Sequence, residues 1–205
     1  MSVLNLCITI SEIDWSLTKD VFSILGTVGA LIIGTFGLFT WRRQLRGTSE
    51  YELAKKAVFK TYEVQQALQA VRNTMLYLSK EEVEVGRRLE EEQRIYNERM
   101  TLLYEKWAEL QTIRLETKAI WSDNAHNCFN EIQQRIGDLR GAIWLHFWMK
   151  GAYAGPGATV DNNPERVIEN DKVVYFVSDD DEFSQKIFKS VEKVELFFGP
   201  KIRGK

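Results

Sequence analysis

Val21 to Trp41 reads VFSILGTVGALIIGTFGLFTW, 21 residues without one ionisable side chain. As a helix rising 1.5 Å per residue this run is about 31 Å long, the thickness of a bilayer's hydrocarbon core. Eleven of its residues are Val, Ile, Leu or Phe, which favours insertion. A buried helix of a soluble core is normally shorter. A cleaved signal peptide would need a basic stretch before the run and a small-residue cleavage site after it, and neither is present. The run predicts a single transmembrane helix over 21–41.

The flanks orient it. Arg42, Arg43, Arg46, Lys55 and Lys56 follow the run, whereas only Lys19 precedes it, among Glu12, Asp14 and Asp20. By the positive-inside rule the C-terminal part is expected in the cytoplasm, and residues 1–20 form a short extracytoplasmic tail. Trp15 and Trp41 stand where interfacial aromatic anchors stand, and Trp41 with Arg42, Arg43 and Arg46 makes a juxtamembrane anchor. Residues 42–48 read as a basic linker.

On a helical wheel Ser23, Gly26, Thr27, Gly29, Ala30, Gly34 and Gly37 fall within a sector of about 160°. Gly26, Ala30 and Gly34 form a small-xxx-small ladder that lets transmembrane backbones approach closely, with Ser23 and Thr27 able to bond across the pair. Phe22 and Ile33 interrupt the sector. The candidate helix-association face is Ser23, Gly26, Thr27, Ala30, Gly34 and Gly37, and homo-oligomerisation within membrane lipid is the expectation it carries.

Beyond Trp41 basic and acidic residues balance, and the whole 205-residue chain carries a net charge of −2. No basic field points to nucleic acid. With 44% hydrophobic and 12% aromatic residues and only three prolines, the chain is not disordered. Residues 49–150 read as a long-helix bundle or hairpin. Ser49 and Glu52 form a capping box that marks a helix start. Ala54, Val58, Thr61, Leu68, Val71, Met75 and Leu78 then recur at helical steps. Lys80 to Trp121 predicts one long helix, in an antiparallel hairpin or a coiled coil. Asp123 to Lys150 continues with Ala125, Phe129, Ile132, Ile136, Leu139, Ile143 and Phe147 on one face and stops at Gly151. Its last stretch, AIWLHFWM over 142–149, is too short to span a bilayer and is expected to bury its tryptophans in the core.

Residues 151–171 read as a loop, whose glycines lack the Lys-Ser/Thr of a phosphate cradle. In the closing segment, 172–205, Lys172 to Val177 (KVVYFV) predicts one short strand. Ser178 and Asp179 to Asp181 then start a final helix, with Phe183, Ile187, Val191, Val194 and Phe198 as its stripe and Gly199-Pro200 as its stop. The expected fold is mainly α: a single-pass helix, a cytoplasmic helical bundle, and one strand near the C-terminus.

Chemistry is scarce. His126 and His146 lie twenty residues apart, His126 and Cys128 point to different faces, and Cys7 and Cys128 make neither a disulfide framework nor a CxxC site. The acidic run at 179–181 serves a helix start better than a metal. Carboxylates sit three or four residues from basic partners, as in Glu90/Arg94 and Glu131/Arg135. The expectation is no enzyme, no cofactor and no metal.

The layout of one span, WRRQLRG, then SEYELAKKAVFKTYEVQQALQAVRN, then a helical body ending DDDEFSQKIFKSVEKVELFF, resembles small bacterial membrane proteins. In build it is similar to transmembrane effectors of phage-defence operons encoded beside retron reverse transcriptases, which usually carry two spans where this chain has one. The resemblance implies abortive infection by membrane disruption, with a neighbouring protein complex restraining the effector. A passive tether or sensor, presenting a helical partner-binding domain, is the alternative. Neither requires direct nucleic-acid binding.

Overall fold

A computed structural model describes residues 15–155, 157 and 163–203. The tail before residue 15, Cys7 and its acidic residues Glu12 and Asp14 lie outside the described residues, as do the Trp15 side chain and residues 158–162 of the loop. The chain divides into two compact units, one ending at Thr48 and one beginning at Ser49.

The first unit is the early part of α1 (Trp15–Val71). One helix near the N-terminus is long and apolar enough to cross a membrane. From Val21 to Trp41 every side chain larger than glycine is exposed, so nothing in the unit covers its apolar surface. Helix α1 runs on through Gly47 and Ser49. The capping box at Ser49 and Glu52 therefore starts no helix, and residues 42–48 are helical rather than a linker, because an unbroken backbone ladder leaves no free N–H for Ser49 to cap.

The second unit is an up-and-down bundle of the later part of α1, α3 (Arg88–Trp121), α5 (Asn130–Met149) and α7 (Glu182–Arg203). Short α2 (Lys80–Glu84) and α4 (Asp123–Asn127) join them, and α6 (Pro164–Val174) packs on α5. Cross-helix pairs set the directions. Lys60 meets Glu109 and Glu63 meets Lys106, so α1 and α3 are antiparallel. Arg114 meets Gln133 while Glu92 meets Lys150, which makes α3 and α5 antiparallel. Tyr62 bonds Glu195 while Arg72 bonds Ser184, reversing α7 against α1.

The predicted stripes make the core. Phe129, Ile132, Ile136, Leu139, Ile143 and Phe147 are buried against Phe183, Ile187, Val194 and Phe198, with Leu68, Tyr96, Leu103 and Leu110 from the other two helices. Burying such a stripe is what stabilises a helix in water, at about 25 cal/mol per Å² of apolar surface.

Boundaries differ from the sequence expectations for local reasons. Helix α1 ends at Val71, not near Leu78: Asn73 turns back to accept from Met75 N at 2.9 Å, and Met75 is exposed. The long helix expected from Lys80 is broken at Gly86, whose φ of 84° closes α2 as Arg87 N reaches Glu82 O at 2.9 Å. Ser122, at φ 116°, separates α3 from α4.

No strand occurs among the described residues. The run KVVYFV contains the last turn of α6, which begins inside the expected loop, where Asn163 caps Glu165 N and Pro164 takes the first helical position. Asn170 and Val174, four apart, are its buried face. Tyr175 turns extended, and Phe176 N bonds Arg72 O rather than a second strand. β-Branched residues favour a strand only where a pleated partner exists. Helix α7 runs through Gly199 and Pro200 to Arg203. So near the end Pro200 forgoes one backbone bond, while buried Phe198 and half-buried Ile202 hold the last turn.

Candidate functional site

In the first unit Ser23, Gly26, Thr27, Ala30, Gly34 and Gly37 all lie on helix α1, as does the Trp41, Arg42, Arg43 and Arg46 cluster. A Cβ added at Gly26, Gly29, Gly34 or Gly37 would meet no atom within 4 Å, so the shallow face is open in the single chain. Thr27 Oγ1 donates to Ser23 O at 2.8 Å. Its hydroxyl proton is spent within its own helix, leaving oxygen lone pairs for a neighbour. Trp41, Arg42, Arg43 and Arg46 are all exposed.

In the second unit, long-range packing assembles three buried polar clusters from residues that look ordinary in the sequence. The first is Arg72, fully buried one residue past α1. Its Nε donates to Val173 O at 2.8 Å, Nη1 to Ser184 Oγ at 2.7 Å, and Nη2 to Tyr175 O at 2.8 Å and to both Asp181 oxygens at 3.0 and 3.1 Å. A guanidinium fork suits this role, since it satisfies the last carbonyls of α6 and a carboxylate together. Burial works to raise the Asp181 carboxyl, but Ser184 N and Arg72 outweigh it and hold it below its ordinary range.

The second cluster surrounds His146. Its Nδ1 lies 3.6 Å from Asp171 Oδ1 and its Nε2 3.4 Å from the Tyr175 hydroxyl. At 3.6 Å the carboxylate contact is too long for a hydrogen bond, and Asp171 Oδ1 stays buried without one, as does the Tyr96 hydroxyl. Carboxylate, imidazole and hydroxyl stand in the order of a proton relay, a grouping the sequence gives no hint of. Burial raises the Tyr175 hydroxyl, and burial, helped by Lys150, lowers His146. A nucleophilic tyrosine needs the opposite shift. The cluster fastens α6 to α5, together with the bond from Asn170 Nδ2 to Ala142 O at 3.0 Å.

The third cluster centres on Arg114, at the junction of α3, α4 and α5. Beside these, Trp144 was expected in the core but is 55% exposed. It stacks on Trp148 at 6.5 Å and on Tyr153 at 6.2 Å. The α5 surface buries Ala142, Ile143, His146 and Phe147 instead, since a helix can turn only one face inward. Among the described residues no group of three or more His, Cys, Asp or Glu side chains is placed to hold a metal ion.

No protein-family model, curated protein or solved structure matches this chain. Its function must be reasoned from its own residues.

Proposed function

We propose that the protein is a membrane-anchored, non-enzymatic effector of antiphage defence that acts by disrupting the bacterial inner membrane. In this proposal the N-terminus is outside, the bundle lies in the cytoplasm, and a protein complex encoded nearby restrains the effector until infection. The observation that carries it is the uncovered apolar helix, whose ladder at Gly26, Ala30 and Gly34 has open space where a second helix would pack. In lipid, apolar side chains gain nothing from leaving lipid for another helix, so association depends on close backbone contact of this kind. The layout's similarity to retron-associated effectors supports the choice of process.

The test is overexpression of the full chain with membrane potential as the readout. Wild type should depolarise cells, Gly34→Ile should relieve this at equal membrane abundance, and Leu31→Ile, outside the small-residue sector, should behave as wild type. Depolarisation by Gly34→Ile as strong as wild type would exclude association through this face. A wild-type chain that is harmless without its partner would instead make the protein a passive tether or sensor. A reporter fused after Lys205 should be active only as a cytoplasmic type.

A further inference from the structure

Arg114 is 5% exposed. Its Nε donates to His126 O at 3.1 Å, Nη1 to Gln133 Oε1 at 2.8 Å, and Nη2 to Asn130 Oδ1, with His126 Nδ1 at 3.4 Å. Five N–H groups thus meet four acceptors, and none of the four is a carboxylate. Burial lowers its pKa, with the neighbouring Cys128 acting the other way. That thiol supplies no negative charge, because burial pushes it up to about 12. Buried charges are ordinarily paired with an opposite charge, as Arg72 is with Asp181.

We propose that Arg114, with Asn130, Gln133 and His126, receives an oxyanion of the phosphate class. Asn130 and Gln133 are exposed and His126 is half-buried, so an anion would reach the guanidinium past side chains that solvent already touches. Rotating either amide by half a turn replaces its acceptor oxygen with an NH₂ donor. His126 Nδ1 stands 3.4 Å from both Arg114 Nη2 and Asn127 Oδ1: unprotonated it accepts from the guanidinium, and protonated it donates to the Asn127 amide oxygen. With both amides turned, the guanidinium fork and two NH₂ groups converge more donors than the two oxygens of a carboxylate can use. A tetrahedral phosphate has enough oxygens to use them.

The test is thermal unfolding of the detergent-solubilised full chain at constant ionic strength. Inorganic phosphate at about 10 mM should raise Tm by roughly 2–4 °C over chloride, and acetate should not. Asn130→Asp places a counter-charge on Arg114 without removing it. This variant should raise Tm in phosphate-free buffer and lose the phosphate increment. Micelles doped with phosphatidic acid identify the source: a rise seen only there, and abolished by Asn130→Asp, makes the ligand a lipid headgroup. The proposal is overturned if neither phosphate nor phosphatidic acid stabilises more than acetate, or if Asn130→Asp keeps the full increment. These outcomes are independent of whether the span disrupts membranes.

Discussion

Arg72 and Arg114 lie in one bundle, both almost wholly buried, and they meet opposite electrostatic surroundings. Arg72 is held by Asp181 and by backbone carbonyls of α6, all fixed by packing. Arg114 is held by amides on an exposed edge and by one carbonyl. A guanidinium stabilises a fold to the extent that its partners are charged, fixed and themselves in need of it. By that measure Arg72 joins three elements, whereas Arg114 holds a junction together with its charge left over.

The comparison breaks most visibly by removing each arginine. Arg72→Met leaves Asp181 and the end of α6 without their donor, and should cost about 3–5 kcal/mol in urea unfolding. Arg114→Met strands no acid, and water can reach Asn130 and Gln133, so its cost should be nearer 1 kcal/mol. Equal losses would mean that the charge partner is not what separates the two sites.

A smaller effect comes from pH. Burial depresses His146 below its ordinary 6.5, so the folded protein resists a proton that the unfolded chain accepts. This contribution is intact above pH 6.5 and is lost as pH falls through that value toward the folded pKa. Stability should therefore begin to decline below 6.5, before the depressed carboxyls of Asp181 and Glu92 add their own loss below their ordinary values of 3.8 and 4.5. His146→Phe should flatten the upper window and leave the lower one. Hydrogen exchange in α6 is the sensitive measurement, because α6 buries only Asn170 and Val174.

The smallest effect belongs to the rim. Lys60 bridges Glu63 and Glu109 across α1 and α3, with Lys60 and Glu63 half-buried and Glu109 exposed. Lys60→Gln should lower Tm only slightly, since ion pairs open to solvent trade Coulomb gain against side-chain entropy and screening. A large drop would place the α1–α3 seam beside Arg72 rather than far below it.

How far these features were legible follows from their range along the chain. The stripe from Phe183 to Phe198 and the one from Phe129 to Phe147 are periodic and local, and the structure buries both as read. The apolar run at 21–41 is equally local, and its helix is present. Arg72 reads as one more charge inside a helix expected to reach Leu78, because its partners lie about a hundred residues away. His146 looks solitary for the same reason, with Asp171 supplied by α6 and Tyr175 by the residue that ends it, where the sequence reads a loop and then a strand. Arg114 gave no signal either: Asn130 and Gln133 are near in sequence, but only the turns at Ser122 and Cys128 fold them back onto it.

The ring column of Trp148, Trp144 and Tyr153 also has an optical consequence. Indoles 6.5 Å apart and inclined by only 21° couple their electronic transitions, and a phenol inclined by 12° extends the column. Such a stack gives near-ultraviolet circular dichroism bands that depend on Trp148, Trp144 and Tyr153 keeping this geometry. A rearrangement at this end of α5 would then be visible without a label, as a change in those bands.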